Sequence, residues 1–150
     1  MLIGIIADTH GVIRDEALHA LRDVDMILHA GDVGKPAVLD ALSAIATVHA
    51  VYGNVDLPDG SLQASIDCEV EGVRVHMSHG HELGSPTPAR LAARYDADVI
   101  VYGHTHRALV QQVGSTLVIN PGAAGPARFN LKPSVAHLVL PARDVRIIPL

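Results

Sequence analysis

The chain has a single cysteine, no tryptophan and only 3% aromatic residues of any kind. One cysteine, Cys68, excludes an intrachain disulfide and any CxxC metal site. Its isolation fits a reducing cytoplasm, which is the expected location, and Cys68 itself reads as a small buried hydrophobe. No block of lysine or arginine occurs, and the formal net charge is -5. Binding along a nucleic-acid backbone needs a clustered basic footprint, so no strong nucleic-acid footprint is expected. No apolar run approaches the roughly 20 residues that span a bilayer, so no membrane segment is expected. The opening stretch MLIGIIADTH has no basic n-region and reaches Asp8 early, which does not read as a signal peptide. With aromatics scarce and 49% of residues apolar, the core must come from small aliphatic side chains. Only 18% of residues are charged, a balance that belongs to globular rather than disordered chains.

What is present is an α/β pattern. At 150 residues, without repeats or a linker-like stretch, a single domain over 1–150 is expected. Residues 2–7 read as a buried strand, and 16–23 as a short helix with Ala17, Leu18 and Leu21 on one face. A strand follows at 25–29, then a helix opening at Pro36 with Val38, Leu39, Leu42 and Ile45 inward, then a strand at 47–52. This βαβαβ order implies parallel strands covered by helices. Further on, alternation about Glu71-Gly72 and about Gly114-Ser115 predicts two β-hairpins. A helix over 86–95, a strand over 98–102 and two last strands over 134–140 and 144–148 complete the pattern. The expected architecture is two β-sheets packed face to face and flanked by helices.

Five strands end in the same grammar, a glycine beside a polar residue. These ends are Asp8-Thr9-His10-Gly11, His29-Ala30-Gly31-Asp32, Gly53-Asn54-Val55-Asp56, Ser78-His79-Gly80-His81 and Gly103-His104-Thr105-His106. The carboxyl ends of parallel strands gather at one edge, where ligands bind. Five segments would thus bring Asp8, His10, Asp32, Asn54, His79, His104 and His106 to one crevice. These are oxygen and imidazole donors without a thiolate. They exceed one tetrahedral zinc and suit two divalent cations of higher coordination number. A carboxylate has two oxygens, so one aspartate can bridge both. Such a pair polarises a bridging water into hydroxide and clamps the oxygens of an in-line displacement at phosphorus. Two cations, two aspartates and one hydroxide sum to a formal charge of about +1, attractive to phosphate in an otherwise acidic protein.

Each motif also has an ordinary reading: turn aspartates accept backbone N–H bonds, and Gly-Asn is a common turn. Their order along the chain is harder to explain that way. The set Asp-x-His, Gly-Asp, Gly-Asn-x-Asp, His-Gly-His and Gly-His-Thr-His resembles the calcineurin-like metallophosphoesterase superfamily. The short length and the segment INPGAAGPAR (residues 119–128) are similar to its small bacterial and archaeal phosphodiesterase branch. The resemblance implies a four-layer αββα sandwich. It also implies a hydrolase acting on phosphate esters, most readily diesters, with a metal-bridging hydroxide as nucleophile. One metal would take Asp8, His10 and His106, the other Asn54, His79 and His104, and Asp32 would bridge. Mn is the first expectation for the metal, with Fe, Ni, Co or Zn also suited to such donors.

The resemblance further places Arg128 near the site as a candidate phosphate contact, and His29 and His81 flank the motifs as candidates for substrate contact or support behind the ligands. The partner is then a small phosphate-ester or nucleotide substrate, and self-association of the chain stays open. Alternatives are a phosphomonoesterase, a nucleotide pyrophosphohydrolase on the same site, or a catalytically silent metal-binding scaffold. One position departs from the family. Many members carry Gly-Asn-His-Asp/Glu, whose histidine protonates the leaving oxygen, and here that place is Val55. The remaining histidines, His19, His49, His76 and His137, read as surface or hydrogen-bonded core residues.

Overall fold

The computed structural model describes residues 1–150. The elements run β1 (Leu2–Ile6), α1 (Asp15–Leu21), β2 (Met26–His29), α2 (Pro36–Ser43), β3 (Thr47–Ala50), β4 (Ser65–Val70) and β5 (Val73–Ser78). After a 3-10 turn at His81–Leu83 come α3 (Pro88–Arg94), β6 (Val99–Val101), β7 (Leu109–Val113), β8 (Thr116–Asn120), β9 (Ser134–Val139) and β10 (Asp144–Pro149). They build two five-stranded sheets, β10-β9-β1-β2-β3 and β4-β5-β6-β8-β7. Both are mixed. In the first, β1, β2 and β3 are parallel, while β9 and β10 join antiparallel. In the second, β5, β6 and β8 are parallel between the antiparallel outer strands β4 and β7.

Alternation along the strands decides the layers. Ile3, Ile5 and Ala7 point between the sheets, where they meet Leu28, Val75, Met77, Val99, Val101 and Ile119. The opposite parity turns outward. Ile6 and Ile27 pack under α1 and α2 against Ala17, Leu21, Val38 and Leu42. Ile100 and Val118 pack under α3 against Leu91. The result is the α/β sandwich expected from the sequence, with a core of small aliphatics in the middle layer. The Pro36 start of α2 and both hairpin turns fall where the sequence predicts them. The first helix begins one residue earlier and ends two residues sooner than its pattern suggests. Cys68 differs more. It is exposed, because β4 is the outermost strand and has a neighbour on one side only. No helix is long and apolar enough to cross a membrane.

Register places the site. Ile6 pairs with His29 and His29 with Ala50, so the first three strands end level with one another. In the facing sheet Met77 pairs with Val101, which levels the ends of β5 and β6. The loops that follow meet across one edge of the sandwich. Ile5 sits in the middle of the intersheet layer and is fully buried. Ile5→Ala should destabilise the protein by about 2–5 kcal/mol. The check is a lowered urea midpoint with an unchanged slope, which separates lost packing from a change in the unfolded ensemble.

Candidate metal centre

The backbone leaves ordinary space at the strand ends. Asp8 (φ 53°), His10 (φ 49°), Asp32 (φ 54°), His104 (φ 71°) and His106 (φ 62°) all adopt left-handed conformations. Such conformations cost side-chain-bearing residues energy and persist only where surrounding structure enforces them. Several bonds enforce them here. Asp8 N–H donates to Gly31 O, and His10 N–H to Asp32 O, lacing the first two loops together. Gly53 must lack a side chain, because a Cβ there would run into the Asp32 carboxylate. Gly125 is held equally close, since its missing Cβ would strike the backbone oxygen of Thr9.

The seven side chains singled out from the sequence converge. His10 Nε2 lies 3.3 Å from His106 Nε2. The Asp8 Oδ1 atom stands 3.5 Å from His106 Nε2, 3.8 Å from His79 Nε2 and 4.0 Å from His10 Nε2. Asp32 Oδ2 lies 3.3 Å from His79 Nε2 and 3.7 Å from His10 Nε2. Asn54 Oδ1 is 3.0 Å from His79 Nε2 and 3.2 Å from His104 Nδ1. Each carboxylate is anchored through its other oxygen. Asp8 Oδ2 accepts from His104 N–H and Asp32 Oδ1 from Val55 N–H.

The free oxygens therefore face the imidazoles. Asp8 Oδ1 is buried without any hydrogen-bond partner. Two imidazole nitrogens 3.3 Å apart can share only one proton between them. A cation answers both conditions, and nitrogen and oxygen donors of this kind suit divalent transition metals. Asp8, His10 and His106 form one group of close donors, and Asp8, Asp32 and His79 another. The donor set fits metal binding.

Electrostatics separates the two aspartates. Burial raises Asp8 to about 7, helped by the Asp32 charge and opposed by His79 and Arg128. Burial pushes Asp32 in the same direction, but the hydrogen bond and charge of His79, with Val55 N–H, outweigh it and hold Asp32 at about 2. For His79, burial is overcome by Asp32 and Asp8, so its basicity rises. His10, His104 and His106 are depressed, first by burial. Neutral imidazoles are the ligand form.

The three flanking candidates separate. Arg128 is exposed on the loop after Pro126, and its charge reaches Asp8, His10 and His106. His81 is partly exposed, its ring 5.3 Å from that of His79 and 6.4 Å from that of His104. His29 corrects the expectation of a substrate contact. It is fully buried, with Nε2 3.0 Å from Thr9 Oγ1 and Nδ1 accepting from Gly31 N–H. Burial lowers it to about 4, so it is a neutral strut behind the loops that carry Asp8 and Asp32.

Other supports were not singled out from the sequence. The Asp56 carboxylate accepts N–H bonds from Val33, Gly34 and Gly53, clamping the Asn54 loop to the Asp32 loop. Its bond to Gly53 is a local turn signal readable from Gly-Asn-x-Asp spacing, whereas the other two need the fold. Asn120 donates through Nδ2 to Gly103 O and Thr105 Oγ1, setting the loop of His104 and His106. Phe129, the one phenylalanine, is 75% exposed, and its ring stands edge-on 6.0 Å from that of His106.

Comparison with known proteins agrees with this geometry. The family model of the calcineurin-like phosphoesterase superfamily domain matches residues 1–142. A probable metallophosphoesterase of Methanothermobacter thermautotrophicus is 37% identical over 147 residues, covering 92% of this chain and 85% of that protein. A phosphodiesterase of Methanocaldococcus jannaschii is 31% identical over 140 residues, covering 81% and 83%. Among solved structures, an archaeal phosphodiesterase superposes with a TM-score of 0.81 at 26% identity, covering both chains completely. Vps29 of Entamoeba histolytica, complexed with zinc, shares the fold at a TM-score of 0.82 and 24% identity, covering 100% and 98%.

Burial of Asp8 carries a stability consequence for the metal-free protein. The unfolded chain releases this proton near 3.8, and the folded chain keeps it until about 7. The folded state thus binds more protons across that window, and stability falls as pH rises through it. Above about 7 the cost is complete. Asp8→Asn should abolish this fall and leave the chelated variant roughly 1–4 kcal/mol more stable than the chelated parent at alkaline pH. Thermal unfolding of both chelated proteins across pH checks it, and added metal should stabilise the parent more than the variant.

Proposed function

The chain belongs to the calcineurin-like phosphoesterase superfamily and is a metal-dependent phosphoesterase, and on that premise we propose that it is a phosphodiesterase working with two divalent cations, manganese foremost. The observation that carries this reading is the buried, unpartnered Asp8 Oδ1 facing three imidazole nitrogens. Asp8, His10 and His106 would hold one cation, and Asn54, His79 and His104 the other. Asp32 would serve both, because its Oδ2 lies between His10 and His79. Two cations bound there would supply a hydroxide nucleophile at neutral pH and a clamp for the phosphoryl oxygens. Arg128 adds positive charge on the His106 side, where an anionic ester would enter. His81, half open beside His79 and His104, is placed to contact the ester from the other side.

Val55 limits the chemistry. Its N–H holds Asp32 Oδ1, while its side chain, 51% exposed, has no proton to give. Asp56 does not replace a missing acid, since its carboxylate is engaged by three backbone N–H groups. A departing alkoxide therefore leaves without a proton from this loop.

Two experiments test the proposal. Chelation should abolish hydrolysis of phosphodiesters, and Mn²⁺ should restore it as two ions bind per chain. Full activity of protein shown by elemental analysis to be metal-free would overturn the reading. Across aryl phosphodiesters of graded phenol acidity, kcat/KM should fall steeply as the leaving group becomes more basic. A positioned acid contributes about 10²–10⁴-fold, so Val55→His should rescue the poorest leaving groups most, by up to about that factor. A flat dependence in the parent would mean that another acid is in place.

A further inference from the structure

A cleft of about 450 Å³ opens beside the metal centre, between the start of α2 and the chain that follows Asn54. It begins one residue from two of the site's side chains. Val33 follows Asp32 and Val55 follows Asn54, and both line it. The same Val55 whose N–H holds Asp32 Oδ1 lines this space. Leu39, Leu57 and Leu62 complete an apolar wall. Leu57 is 78% exposed, an unusual position for leucine beside a polar centre. The rim is acidic, with Asp40 and Asp59, and its single cation is Lys35. The Lys35 stem lies against Gly11, the residue after His10.

We propose that this cleft is a subsite for one organic substituent of the ester, an uncharged apolar group such as an aryl or branched alkyl moiety, while its phosphate sits at the metal centre. The inference rests on the phosphoesterase reading and narrows its substrate class. Apolar area removed from water favours a hydrocarbon group here, and the rim carboxylates of Asp40 and Asp59 disfavour a second phosphate. A pyrophosphate chain would have to run past Asp40 and Asp59, whereas a phenyl or alkyl group meets Val55, Leu57 and Leu62. Lys35, the one rim cation, has its stem against Gly11 in the loop that carries His10, so its charge favours an anion on that side rather than deep in the cleft.

The test measures binding rather than turnover. Benzylphosphonate and methylphosphonate present the same anion with and without an aryl group, and calorimetry on the manganese-loaded protein gives the affinity of each. Burial of the ring should make benzylphosphonate bind about 10- to 100-fold more tightly. In Leu57→Ser, a change at an exposed position that leaves the core untouched, that ratio should fall to about threefold or less. Equal affinities in the parent, or an unchanged ratio in Leu57→Ser, would overturn the subsite while methylphosphonate binding still upholds the phosphate site. Failure of both phosphonates to bind would overturn the phosphoesterase reading and the subsite with it.

Discussion

Two carboxylates closed off from water among the same imidazoles set the terms for this structure. Asp8 is completely buried and Asp32 nearly so, and a charge on each raises the energy of the other. Without metal and below about pH 7, the protein resolves the conflict by letting Asp8 keep its proton and Asp32 lose its own. The surrounding loops hold the pair together regardless. Left-handed backbone at five side-chain-bearing residues, a carboxylate clamp at Asp56 and a buried strut at His29 all act against the local preference of the chain. Such strain is tolerated where it preorganises a site, and the aliphatic layers beneath supply the stability that offsets it.

Much of the architecture is legible along the chain because it depends on local signals. Alternation between Ile3, Ile5 and Ala7 on one side and Ile6 on the other marks β1 as a strand covered on both faces. Glu71-Gly72 and Gly114-Ser115 specify their hairpins through turn chemistry alone. The convergence of Asp8, His10, Asp32, Asn54, His79, His104 and His106 is legible for a different reason. A parallel sheet makes strand ends neighbours, so a repeated strand-end motif becomes a spatial cluster once register levels the strands.

What escapes the sequence is whatever depends on which side of a loop faces inward. His29 looks like a ligand neighbour in the string His-Ala-Gly-Asp, but it is the last residue of β2 and its ring turns behind the loops to Thr9. Cys68 shares its parity with the core-facing Ile66 and Val70, yet an edge strand leaves it uncovered. The reach of Asp56 to Val33 and Gly34 spans separate elements, and no spacing rule anticipates it. The exposed apolar wall of Val55 and Leu57 reads in sequence as an unremarkable turn. Only the cleft beside it gives these side chains a common face.

The position of β1 bears on how the molecule comes into being. It lies between β2 and β9, with Leu2 opposite Val139. Ala124 N–H and Gly125 N–H then reach back to Ala7 O and Asp8 O, and Arg14 bonds to Gly125 O. During synthesis β1 must wait with one edge unpaired until β9 has been made. An open apolar edge of this kind invites pairing with other chains, and closure over such sequence distances is slow. The nascent protein thus passes through an aggregation-prone interval in which the loop bearing Asp8 lacks its bonds to Ala124 and Gly125. Competence to take up metal should arrive late, with the pairing of β9 onto β1.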